Sequence, residues 1–72
     1  MENPTRPATF APHQQRVIDE RNELKEKADK LSQFWGTEIY NRLSVNEQNL
    51  LRLQLRVMDQ YIAILEMRIA TF

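Results

Sequence analysis

The chain has 72 residues, with ten Lys and Arg against ten Asp and Glu, one histidine and no cysteine, so its formal net charge is zero. No disulfide framework or cysteine-based metal site can form, and the basic surplus with which a nucleic-acid coat displaces counterions is absent. A chain this short buries only about 60% of its unfolded surface. Self-association is therefore the expected source of further burial, and no metal or cofactor is expected.

Residues 1–11 hold two of the three prolines, Pro4 and Pro7, among Asn3, Thr5 and Thr9. This composition predicts an extended N-terminal arm without its own core. The segment has no apolar run, so it does not read as a signal peptide. Phe10 is its one aromatic. It is read either as a plug for the open end of the fold or as a stacking surface for a base or a partner's ring.

A first helix is expected over about 12–35. Pro12 suits its first turn, where the missing N–H would be unpaired anyway, and Thr9 is a candidate N-cap. Val17, Arg21, Leu24, Ala28, Leu31 and Trp35 recur at spacings of four and three, a narrow apolar seam that Arg21 interrupts. His13, Arg16, Glu20 and Lys27 flank that seam. They are read as interhelical charge partners or as the rim of an anion pocket where subunits meet. Glu26 and Lys30 are placed to pair one turn apart. Phe34 and Trp35 are expected in the core.

Gly36 is the only glycine and sits where the first helix should stop, as the left-handed residue after its C-cap. Thr37 is expected to cap a short turn helix over about 38–43, which carries Ile39, Tyr40 and Leu43 inward. Ser44-Val45-Asn46-Glu47 then matches the capping box S-x-x-E and opens a second helix over about 45–70.

That second helix carries two apolar rows. Leu51, Leu55, Met58, Ile62, Leu65 and Ile69, continued by Phe72, form a heptad seam and are expected to be the oligomer interface. Leu50, Leu53, Val57, Tyr61, Ile64 and Met67 run beside it, with Arg52, Arg56, Asp59, Ala63 and Glu66 as the wettable strip. A helix apolar over so much of its circumference is normally covered on more than one side. Arg52, Arg56, Asp59, Glu66 and Arg68 interrupt it too often for a membrane span. Gln54 lies between the two rows, and Arg68 next to Ile69 is read as a snorkelling side chain or a phosphate ligand.

No residues assemble into a catalytic set: His13 has no neighbouring nucleophile, and there is no phosphate-binding glycine loop or metal-binding motif. The expected fold is all-α, an antiparallel helical hairpin over 12–72 behind the arm, assembled as an even-numbered homo-oligomeric bundle.

The run P-H-Q-Q-R-V-I-x-E-x-x-E-L-x-x-K-x-x-K-L-x-x-F from Pro12 to Phe34 resembles a family of very short bacteriophage accessory proteins. The likeness continues through E-Q-x-L-L-x-x-Q-L-x-x-M-x-x-Y from Glu47 to Tyr61 and L-x-x-R-I from Leu65 to Ile69. In architecture the chain is similar to phage helical-hairpin sponges that sequester the cyclic nucleotide signals of bacterial immunity, such as CBASS and Thoeris messengers. This resemblance implies stacking of a base on Phe10 and phosphates held by Lys27 and Arg68 at subunit junctions; the residues themselves add His13, Arg16 and Tyr61 as candidate ligand-binding positions. The implied function is non-enzymatic sequestration of a nucleotide immune signal, a cyclic oligonucleotide or an ADP-ribose derivative, in the cytoplasm of the infected host. The alternatives are an inhibitor or adaptor that binds a host protein through a helix face, and a structural assembly piece.

Overall fold

The computed structural model describes residues 10–72. Residues 1–9, with Pro4, Pro7, the candidate cap Thr9 and most of the expected arm, lie outside the described residues. The rest is all-α, in the order α1 (Pro12–Phe34), α2 (Glu38–Arg42) and α3 (Val45–Ile69), with no strand among the described residues.

Local chemistry explains each boundary. Ala11 holds the N-cap position of α1 and offers no side-chain acceptor. Gln14 supplies half of a capping box in its place, its Oε1 accepting from the Ala11 N–H at 3.0 Å. The helix ends at Trp35, and Gly36 follows at φ 81°, the left-handed conformation that costs a residue without Cβ nothing in sterics. Thr37 Oγ1 accepts from the Tyr40 N–H at 3.2 Å and donates to the Phe34 carbonyl at 2.7 Å, so one hydroxyl ends α1 and starts α2. Ser44 Oγ accepts from the Glu47 N–H at 3.1 Å. The Glu47 carboxylate meets the Ser44 hydroxyl at 3.3 Å, where the capping box pattern anticipated the Ser44 N–H.

The two long helices pack antiparallel along their seams. Val17, Ala28, Tyr40 and Leu65 are buried, and Leu65 is fully so at 0% exposure. Gln14, Ile18, Leu24, Leu31 and Phe34 of α1 and Leu51, Leu55, Met58, Ile62 and Ile69 of α3 are half-buried around them. The heptad seam of α3, expected to join copies, thus closes the chain on itself. The row left outside is the other one: Leu50, Leu53, Val57, Tyr61, Ile64 and Met67 are all exposed, Leu53 at 52% and Met67 at 63%. With one helix to pack against, α3 can cover one row only.

Polar contacts fix the register. Arg21, the charge in the α1 seam, reaches across to Glu66, with Nε and Nη2 donating to one carboxylate oxygen at 3.1 and 2.7 Å. Gln48 Nε2 donates to the Tyr40 carbonyl at 2.9 Å and ties α2 to α3. Of the three side chains expected to turn inward from the turn helix, Tyr40 is buried and Leu43 half-buried, but Ile39 is 64% exposed. Five residues make little more than one turn, so α2 cannot present adjacent positions to the same core. Trp35 also departs from the core expectation: as the cap residue beyond the last helical turn it stays 37% exposed.

Candidate functional site

The six side chains expected to bind a ligand are distributed along one edge of the hairpin and at its open end. Phe10 lies at the open end, its ring 6.2 Å from that of Phe72 with the planes tilted by 58°. Beyond the last turn of α3, the Thr71 and Phe72 N–H groups donate to the carbonyls of Arg68 and Ile69. That turn brings Phe72 back over the end. Further along, the Tyr61 hydroxyl donates to the Glu20 carboxylate. This bond, with the negative charge beside it, raises the Tyr61 pKa above its ordinary value, partly opposed by the positive charge of Arg68.

These two contacts bracket a basic stretch. Arg16 of α1 lies between Phe10 and Glu20 in the chain, and Arg68 of α3 between Tyr61 and Phe72. The antiparallel register therefore brings both arginines to the same stretch of the hairpin. Both are exposed, and neither forms an ion pair among the described residues. His13 is exposed one turn nearer the open end. Lys27 is not brought to this group. It lies seven residues beyond Glu20 on α1, about 10 Å along the helix. One hairpin thus places Arg16 and Arg68 on the same stretch as a phenol ring, with Lys27 further along α1.

The opposite edge of α3 carries a groove of about 510 Å³ lined by Trp35, Arg52, Leu55, Arg56, Asp59, Gln60 and Ala63. Trp35 forms one wall. Its ring lies 6.3 Å from that of the buried Tyr40 and is tilted by 38° to it, and Tyr40 also packs edge-on against Phe34. Arg52 donates from Nε to the Tyr40 hydroxyl at 3.3 Å, and among the described residues it forms no ion pair. Arg56, one turn on, has no hydrogen-bond or ion-pair partner among the described residues.

A family model described as Sequestin matches residues 11–71. The chain belongs to the Sequestin family. No curated protein and no solved structure matches it. The span matched by the Sequestin model takes in the whole helical hairpin.

Within this Sequestin chain the sequence pattern missed the groove. Arg52, Arg56 and Asp59 were legible as a polar strip on α3, but such a strip ordinarily faces water. The signal that distinguishes it is Trp35, placed by the α1 cap and Gly36 so that a large ring overhangs the strip. That placement depends on the turn, which periodicity does not describe. No helix among the described residues is long and apolar enough to cross a membrane.

Proposed function

We propose that this chain is a phage-encoded, non-enzymatic binding protein that sequesters a nucleotide immune signal, a cyclic oligonucleotide or an ADP-ribose derivative, and so blocks bacterial anti-phage defence in the cytoplasm of the infected host. The observation that carries this reading is the Sequestin match across the hairpin, since the family's name denotes sequestration and points to binding rather than turnover. The site chemistry supports it. Arg16 and Arg68 offer charge-assisted donors to a phosphate, and the Tyr61 ring beside them offers a face to a base. Sequestration is stoichiometric, and a hairpin that assembles as an even-numbered homo-oligomer with pockets at subunit junctions would bring Lys27 of a neighbouring copy to Arg16, Arg68 and Phe10.

The exposed row Leu50, Leu53, Val57, Ile64 and Met67 favours a second reading, in which that face binds a host protein. Calorimetric titration against cyclic nucleotides and ADP-ribose derivatives separates the two. Sequestration predicts a ligand held well below millimolar, with Lys27→Ala or Arg68→Ala weakening it by roughly one to two orders of magnitude, as the loss of one charge-assisted bond implies. If no nucleotide binds tighter than millimolar and a host protein co-purifies through the α3 row, the adaptor reading replaces it.

A further inference from the structure

We infer that the groove under Trp35 is a nucleotide site in its own right, distinct from the Tyr61 edge, taking a nucleoside diphosphate with its base on Trp35 and its phosphates on Arg52 and Arg56. This rests on the reading of the chain as a nucleotide-binding protein and assigns the ligand to residues on the other side of α3.

Three features of the groove point the same way. The first is an aromatic face held open. Trp35 is 37% exposed although its neighbours Phe34 and Tyr40 are half-buried and buried, and its ring contact is with Tyr40, which Phe34 in turn meets edge-on. An indole that stays wet while backed by a buried phenol is a ready stacking surface.

The second is charge. Arg52 and Arg56 are one turn apart on the same face, and like charges at that spacing repel. Asp59, three residues beyond Arg56, closes no ion pair with either. Two guanidinium groups left side by side attract an anion that can bridge them, and a diphosphate presents oxygens to both. The third is the shape and remaining lining. About 510 Å³ lies within the range of small-molecule pockets. Asp59 and Gln60 provide acceptors for sugar hydroxyls, while Leu55 and Ala63 supply apolar floor. The Tyr61 edge differs in that its phenol is already bonded to the Glu20 carboxylate, whereas among the described residues Asp59, the carboxylate of the groove, is paired with neither Arg52 nor Arg56.

Trp35 is the only tryptophan in the chain, so its fluorescence reports on this groove alone. The test is titration of the full chain with ADP, followed by Trp35 emission and by calorimetry, with adenosine and inorganic pyrophosphate as separate arms. The expected result is saturable quenching by ADP, little quenching by adenosine, competition by pyrophosphate, and a Kd raised about tenfold in Arg56→Ala. Arg56 is the better variant because Arg52 also holds Tyr40. Adenosine binding as tightly as ADP, or ADP binding with Arg56→Ala unchanged, overturns the assignment. ADP binding that leaves Trp35 emission unaltered and is weakened by Arg16→Ala or Arg68→Ala moves the ligand to the Tyr61 edge, which sinks this site and keeps the sequestering reading. Failure of ADP to bind at all also overturns the groove site, while the wider nucleotide panel judges sequestration separately.

Discussion

Tyr61 donates its proton to Glu20, and the direction of its pKa shift gives that contact a measurable consequence. A phenol whose pKa is higher folded than unfolded contributes stability that is fully present below the ordinary value of 10.0. That contribution is lost as pH rises through the folded pKa. In an alkaline ultraviolet titration, one of the two tyrosines should ionise above its ordinary range, and Glu20→Gln should bring it back down. No change in Glu20→Gln would mean that the carboxylate does not govern this phenol. Arg21 is the other informative residue. Its pair with Glu66 spans the hairpin at 2.7 Å but is 31% and 46% exposed on its two sides, so water and salt screen it. Glu66→Gln should destabilise by no more than about 1 kcal/mol, and the difference should shrink at high salt. Urea denaturation at two ionic strengths measures both.

At the scale of the element, the turn is where single residues matter most. Ser44 satisfies a free N–H at the start of α3, and Ser44→Ala should cost about 1 kcal/mol. Gly36 is different in kind. Nothing lies within 4 Å of a Cβ built on it, so a side chain there meets no obstacle and the penalty is conformational alone. Gly36→Ala should cost about 1–2 kcal/mol for the left-handed backbone, and Gly36→Asn less, since asparagine tolerates that region. Equal losses for alanine and asparagine in thermal melts would point to a clash and contradict this geometry. The α3 rows can be told apart in the same way. Leu65 has no exposure, so Leu65→Ala should cost about 2–5 kcal/mol at any protein concentration.

At the scale of the molecule, the exposed α3 row is the apolar surface that the single chain leaves uncovered. Leu50, Leu53, Val57, Tyr61, Ile64 and Met67 keep the three-and-four rhythm of a helix-packing seam and are exposed. A second copy presenting the same row would cover them about a two-fold axis, the commonest closure. Light scattering at micromolar concentration should therefore give an even multiple of the monomer mass. Val57→Glu or Ile64→Glu should yield monomers that keep their helical circular dichroism. A monomeric wild-type chain would sink this prediction.

Much of this protein was determined by its sequence alone. The helices, their caps at Ser44 and Thr37 and the left-handed Gly36 follow from local rules, because a capping oxygen or a missing Cβ acts within a few residues of itself. The presence of two apolar rows on α3 was equally legible, since periodicity is local too. Which row turns inward was not. The two rows differ little in hydrophobicity, and only the angle at which α1 returns through Gly36 and α2 sets Leu51, Leu55, Met58, Ile62, Leu65 and Ile69 against it. The same return leaves Ile39 in water, swings Trp35 over Arg52 and Arg56, and lines up Arg16 with Arg68 but not with Lys27. Those are contacts between residues distant in the chain, and the tertiary structure alone decides them, because they depend on the direction of a turn and the register of two helices rather than on the identity of any one side chain.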